Sequence, residues 1–424
     1  MKNCAIVGIN WGDEGKGRMV DLLTEDYDVV IRYQGGGNAG HTVVNDYGKF
    51  ALHLLPSGIF HPGVVNILGN GVALDAENLW NEIETVRGKG VAVSPENLMI
   101  SDRASLLLPW HRQLDTLEEA RLASHKYGST KQGIAPFYSD KYQKKTVLAG
   151  ELFYPEHLRA HLTELLEWKN LILTGVYGAE PCSLEQLLSW IECYGEKIKP
   201  YIRDVNSYLR TASAAGKRML FEAQLGSLRD LDYGIYPYTT SSNALAAYAP
   251  VGSGLPTAKL DEIVGVVKDY STCVGEGPFV CEWFGKDADL LREAGGEYGA
   301  KTGRPRRVGP LDLVATRYGV QVQGATALAL TKLDVLSYMQ AIPVCTQYEL
   351  AGKSTDAFPF PAALEQAKPV YETMEGWGCD ISGIRRWEDL PAAARRYVDF
   401  AEEYVGCPIR YVSVGPERDA IILR

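Results

Sequence analysis

The chain has 424 residues, 46% hydrophobic and 23% charged, with a mean hydropathy of -0.14. That balance excludes a disordered or collagen-like chain, and nowhere is there a run of about 18 apolar residues that could span a membrane. Forty-three basic against 53 acidic residues leave a net charge of -10 and a pI near 5.4. An acidic chain argues against nucleic-acid or membrane binding through charge, but leaves room for a local basic pocket around a small anion.

In chain order, Cys4 to Gly8 is expected as a short buried strand, followed by a glycine-rich loop and a helix from about Gly15 to Leu23. Asp28 to Arg32 and Val64 to Leu68 are the next strands, and Glu77 to Val86 has helical spacing. The stretch 150–215 is mostly helical in pattern, with Leu162, Leu165 and Leu166 on one face. Arg218 to Phe221 and Ile263 to Val267 return to strand. Pro391 to Val405 is an amphipathic helix closed by Gly406, and Ile409 to Ser413 is a last strand. Alternating strand and helix signals predict an α/β fold with a mostly parallel central sheet flanked by helices. A length prior of roughly 150 residues per domain allows two or three domains. No repeat or linker divides the chain, which favours one large domain over 1–424.

The start of the chain is interrupted too early for a signal peptide. The eight cysteines form no Cys-x-x-Cys pair and are expected as buried thiols in a reducing compartment, hence the cytoplasm. His157 and His161 alone have metal-like spacing, on a helix expected to be solvated; structural zinc needs four ligands.

Four segments carry chemistry. Gly8-Ile9-Asn10-Trp11-Gly12-Asp13-Glu14-Gly15-Lys16-Gly17-Arg18 has the strand–loop–helix context of a phosphate cradle, where helix N-terminal amides attract anions and Lys16 adds a charge. It departs from a Walker A loop, because the first spacing is too long and Gly17 stands where Ser or Thr would hold magnesium. Asp13 and Glu14 would repel phosphate unless Mg²⁺ lies between, or unless one of them accepts a proton. Gln34 to Thr42 is a second glycine-rich loop, and its His41 could donate to a phosphate oxygen. Lys301 to Arg307 offers three arginines whose forked donors suit carboxylate or phosphate. Leu330-Thr331-Lys332-Leu333-Asp334 is similar to the Asn-Lys-x-Asp element that reads guanine.

Together these segments resemble the adenylosuccinate synthetase family. His53-Leu54-Leu55-Pro56-Ser57-Gly58, Gly69-Asn70-Gly71-Val72, Asp232 to Asn243, Pro369 to Met374 and Ser413-Val414-Gly415-Pro416 also fit, in the family's order from about residue 3 onward. The resemblance implies a GTP-dependent ligase that joins IMP and L-aspartate through a 6-phosphoryl-IMP intermediate, with Mg²⁺, in AMP synthesis. It implies that Asp13 removes the N1 proton of IMP, that His41 stabilises charge on the phosphates, and that Asp13 and the Gly40 carbonyl hold Mg²⁺. Gly12, Glu14, Gly15, Lys16, Gly17, Gly40, His41, Thr42 and Arg306 would contact GTP phosphates, with Lys16 catalytic. Lys332, Asp334, Ser413 and Gly415 would surround guanine. Asp13, Asn38, Thr130, Lys144, Gln224, Leu225, Thr240 and Arg304 would line the IMP site. Thr302, Arg304 and Arg306 would take aspartate. A homodimer is implied, with one IMP contact lent by the partner, and neither nucleic acid nor membrane as a partner.

The departures from the family pattern cluster on the IMP side. Gly37 replaces a histidine, and Ser129-Thr130-Lys131-Gln132-Gly133-Ile134-Ala135-Pro136 replaces Thr-Thr-Gly-Arg-Gly-Ile-Gly-Pro. Lys144 stands for the arginine lent across the dimer, keeping the charge without the bidentate fork. Leu225 replaces a base-contacting glutamine, and Gln224 is expected to point elsewhere. Two alternatives follow: a phage-type ligase acting on dGMP, which lacks the acid at the position of Asp13, and a GTP-binding regulatory protein without ligase activity.

Overall fold

The computed structural model describes residues 3–38, 40–299, 303 and 305–424. Strand β1 (Cys4–Gly8) is buried at every position, as an apolar run in the middle of a parallel sheet must be. Helix α1 (Lys16–Leu23) starts after Gly15, whose φ of 101° is left-handed and open to glycine at little cost. Strand β2 (Val29–Arg32) is also fully buried.

Ten strands form the central sheet. From one edge the order is Ile421–Leu423, Ile409–Ser413, Ala327–Thr331, Glu262–Lys268, β1, Met219–Glu222, β2, Val65–Leu68, Leu98–Ser101 and Ile202–Arg203. Only the edge pair of Ile409–Ser413 with Ile421–Leu423 is antiparallel. The expected strands are therefore present, with ends shifted by a residue at most, and the helices at Ala76–Arg87 and Ala392–Val405 are where the spacing puts them. Asp75 caps the first of these by accepting from Asn78 N, and Gly406 ends the second at φ 67°.

Between 150 and 215 the chain forms helices Pro155–Gly175, Leu184–Trp190 and Val205–Ala214. It also contributes the edge strand Ile202–Arg203, which the helical pattern conceals. Leu162, Leu165 and Leu166 are buried on one face as expected. A second sheet was not foreseen. Tyr270–Cys273, Arg307–Asp312, Ala341–Leu350, Lys353–Thr355 and Lys368–Glu375 pair mainly antiparallel beside the Glu262–Lys268 end of the main sheet. It brings the basic segment around Arg306 against the loop after β1.

The thiol expectation needs correction. Cys193 and Cys379 are exposed and Cys182 half-buried, because they sit on solvated helices and loops rather than strands. No helix among the described residues is long and apolar enough to cross a membrane.

Candidate active site

The carboxyl ends of the parallel strands gather the loops that follow β1, β2, Met219–Glu222, Glu262–Lys268, Ala327–Thr331 and Ile409–Ser413. In an open α/β sheet such a crevice is where ligands bind. The loop after β1 is held by its own acid. The Glu14 carboxylate accepts from Asn10 N at 3.1 Å and Gly12 N at 2.8 Å, and its other oxygen accepts from Lys16 Nζ at 2.7 Å. Glu14 and Lys16 are each 3% exposed. The suspected repulsion of phosphate by two acids is thus halved, because Glu14 faces inward as the organiser of the loop. Asp13 remains at the mouth, 30% exposed, with φ 60° and its Oδ2 3.3 Å from Arg306 Nη2. Gly15 opens the helix N-terminus, where amides point outward.

Gly17 has a steric reason. A Cβ there would lie 2.7 Å from His41 Cβ, so the residue that holds magnesium in a Walker A loop is excluded by the histidine packed on α1. His41 begins the strand His41–Asn45 and is buried. Its Nδ1 donates to Glu222 Oε1 at 2.5 Å, and Ser57 donates to the same carboxylate through N at 2.9 Å and Oγ at 2.7 Å. Burial pulls the imidazole below its ordinary pKa, helped by the Arg32 charge, against the opposing pull of Glu222. Burial raises Glu222, but His41 and Arg32 outweigh it and keep the carboxyl ionised. His41 Nε2 is buried without a partner, as are Nε and Nη1 of Arg32. With the proton on Nδ1, the neutral ring leaves His41 Nε2 as an acceptor, and Arg32 supplies the unspent donors at this end of the sheet.

At the end of the strand Ala327–Thr331, Lys332 is left-handed at φ 66°. Burial raises the Asp334 carboxyl above its usual range. Thr331 Oγ1 donates to Glu14 O at 2.7 Å, which ties this strand end to the phosphate loop. Arg18 connects the far side. It donates to Ser413 Oγ, to Gly415 O at 2.6 Å, to Glu417 O and to Ala420 O at 3.1 Å. Ser413 and Gly415 are therefore in place beside α1, on an arginine that the sequence presents only as the end of the loop motif.

The IMP side shows how the departures fit together. Gln224 is fully buried and turned into the second glycine loop. It donates to Gly36 O at 2.6 Å and His53 O at 3.0 Å, and accepts from Gly36 N at 3.0 Å. These bonds occupy both ends of its amide. Leu225 takes φ 60° and packs on the loop, its Cα 3.3 Å from where a Gly12 Cβ would lie. A Cβ at Gly37 would meet Asn78 Nδ2 at 2.9 Å, and that amide donates to Gln132 Oε1 at 3.4 Å. Asn78 and Gln132 thus fill the space that Gly37 leaves. Asn38 accepts from Gly36 N at 3.3 Å, and Thr240 is buried beside Ser242. Thr130 and Lys144 are exposed, Lys144 at the end of helix Ile134–Gln143. Gly40 and Thr42 are exposed next to His41. Thr302 and Arg304 lie outside the described residues; Arg306 does not.

For a divalent cation, Asp13 is the one acid of the loop not consumed by amides or Lys16, and the Gly40 carbonyl lies on an exposed backbone. Hard oxygen donors in so small a number suit Mg²⁺, which takes one or two protein ligands and completes its shell with phosphate and water. His157 and His161 share Glu151 Oε2 at 3.3 and 2.7 Å on an outer face and take no part here. Glu222, Arg32, Arg18 and Glu297 escaped the sequence reading. The available signal was a charged residue at the end of an otherwise apolar strand, as in Met219–Glu222 and β2.

Known proteins are similar to this chain over its whole length. The family description adenylosuccinate synthetase matches residues 5–422. The adenylosuccinate synthetase of Caldanaerobacter subterraneus is 46% identical over the whole of both chains. The solved structure of fully ligated adenylosuccinate synthetase from Plasmodium falciparum superposes with a TM-score of 0.93 at 35% identity, covering both chains completely. The cyanophage S-2L succinoaminodeoxyadenylate synthetase, bound to dGMP and dATP, has a TM-score of 0.63 at 20% identity, covering all of this chain and 95% of its own; it shares the fold.

Proposed function

The chain belongs to the adenylosuccinate synthetase family, and on that premise we propose how its own residues divide the work. It is a GTP-dependent ligase that joins IMP and L-aspartate to give adenylosuccinate, GDP and phosphate. The observation that carries the residue assignment is the contrast between the two acids of the loop: Glu14 is buried and spent on the loop, whereas Asp13 stands 30% exposed at its mouth with Arg306 as its ion-pair partner.

Asp13 accepts the N1 proton of IMP as O6 attacks the γ-phosphorus of GTP. This forms the 6-phosphoryl intermediate and releases GDP. The amine of aspartate then attacks C6, and phosphate leaves with the bonding pair of the C6–O bond. Lys16 and the amides at the start of α1 take the phosphate charge. His41, oriented through Nδ1 by Glu222, presents Nε2 to the phosphates, whose negative charge favours the protonated ring there. Lys332, Asp334 and the backbone held by Arg18 receive guanine, and Arg306, with Thr302 and Arg304, receives aspartate. Asp13 and the Gly40 carbonyl would hold Mg²⁺, which supplies charge neutralisation on the phosphates when bound. IMP meets Asn38, Thr130, Leu225 and Thr240 from one protomer and Lys144 from its partner in a homodimer. The whole of 1–424 works as one catalytic unit, in the cytoplasm, a reading supported by the exposed thiols of Cys193 and Cys379.

The test is the rise in ultraviolet absorbance on product formation, with each of IMP, GTP, aspartate and Mg²⁺ left out in turn. A rise that needs all four is expected. Product formed from dGMP in place of IMP would overturn the substrate assignment, and GTP hydrolysis at full rate without IMP and aspartate would overturn the ligase.

A further inference from the structure

Glu297 is fully buried, yet its carboxylate gathers donors from four directions. Oε1 accepts from Lys268 Nζ at 2.9 Å, from Lys332 Nζ at 2.9 Å and from the Tyr270 hydroxyl. Oε2 accepts from Arg306 Nη1 at 2.7 Å, and the backbone carbonyl of Glu297 accepts from Arg306 N at 3.0 Å. The other Arg306 nitrogen, Nη2, is the one 3.3 Å from Asp13. Lys332 also donates to Gly295 O at 2.6 Å, so its head is tied to the segment leading into 300–304 while its stem lies along the guanine end. Burial would neutralise a lone carboxyl, but the three cations prevail and hold this one well below the usual carboxylate range.

Three cations on one carboxylate leave an excess positive charge, and three donors crowd Oε1. The donors differ in how firmly they are held. Lys268 is buried and also bonded to Thr272 Oγ1 at 2.9 Å, whereas Lys332 is 36% exposed and can move. Arg306 has a buried Nε with no partner. A shift of Lys332 toward a bound base therefore changes the charge that Glu297 presents to Arg306, and through Arg306 the field at Asp13.

We propose that Glu297 is a positioning residue that couples guanine recognition at Lys332 to Arg306 and Asp13 at the phosphoryl end. This rests on the ligase reading above. Nothing in the fold requires such a link: a carboxylate serving only to neutralise Lys268 would have no reason to hold a lysine from one loop and an arginine from another on opposite oxygens.

The test is a double-mutant cycle of Lys332→Ala and Arg306→Ala, run in the wild-type and the Glu297→Gln backgrounds, reading kcat and the KM for GTP and for aspartate. The two effects on kcat/KM for GTP are expected to be non-additive by about fivefold or more in the wild-type background, the lower end of ordinary site-to-site coupling, and additive when Glu297 is Gln. Glu297→Gln alone should raise both KM values together. Additive effects in the wild-type background overturn the proposal, whether or not Glu297→Gln folds. So does a Glu297→Gln protein that loses thermal stability and kcat but keeps both KM values. If the wild-type chain made no product from IMP, the ligase reading would fall by itself. The same cycle read as GTP binding by calorimetry would then decide the coupling, because Arg306→Ala should weaken GTP binding less once Lys332 is removed.

Discussion

Asp13 and Glu14 are neighbours with opposite fates, and the reason is geometric. Glu14 can reach back to the amides of Asn10 and Gly12, whereas Asp13, at φ 60°, projects from the turn. Asp13→Asn removes the proton acceptor but keeps the size of the side chain. Turnover should fall by roughly 10²–10⁴-fold, the usual worth of a general base, while GTP binding measured by calorimetry without Mg²⁺ changes little. Turnover within tenfold of wild type would contradict the assignment. His41 supplies a pH signature without substrate. Its folded-state pKa lies below the ordinary 6.5, so below that pH the unfolded chain takes up more protons than the folded one. The stability linked to this group is present above about 6.5 and is lost as pH falls toward the folded-state pKa. Thermal unfolding of wild type against His41→Asn should show the wild type losing ground below pH 6.5 and a constant difference above it. A constant difference throughout would mean that the imidazole is not depressed.

At the scale of elements, α1 does two jobs. Its N-terminus opens behind Gly15 at the end of the sheet, and Arg18, in its first turn, holds the loop after the strand Ile409–Ser413 by donors to Ser413 Oγ and three backbone carbonyls. Burial lowers the guanidinium only to about 10, so it remains charged at neutral pH. Arg18→Met keeps much of the stem but frees those acceptors. Amide hydrogen exchange across 413–420 should accelerate, and the KM for GTP should rise roughly tenfold, the scale of a lost hydrogen bond to a charged group. Unchanged exchange would mean that the loop holds itself. The second sheet has a comparable role: its strand Arg307–Asp312 begins directly after Arg306 and so fixes the arginine that meets Asp13.

At the scale of the molecule, the proposed cross-subunit contact is one that a single chain cannot supply. Lys144 is exposed at a helix end, a position open to a second copy. Mixing Asp13→Asn and Lys144→Ala proteins, each nearly inactive alone, should restore about a quarter of wild-type activity. Half of the dimers would be mixed, and each mixed dimer would hold one intact site in a two-fold assembly. No recovery after mixing and re-equilibration would remove Lys144 from the partner's site.

Much of this was legible without coordinates. The parallel strands are continuous apolar runs, because burial on both faces leaves no room for polar alternation, and their boundaries fall within a residue of the pattern. The phosphate loop, His41, the arginine segment and Lys332–Asp334 were each visible as local motifs, since glycine, acid and base must be close in sequence to make a cradle. What the tertiary structure decided are relations between segments far apart in the chain. Glu222 lies 181 residues from His41, Ser413 lies 395 from Arg18, and Glu297 joins Lys332 to Arg306. A buried charge chooses its partner by where the strands end in space, not by spacing along the chain. For that reason the motifs that a phosphate cradle needs were readable in the sequence, and the buried partners that orient them were not.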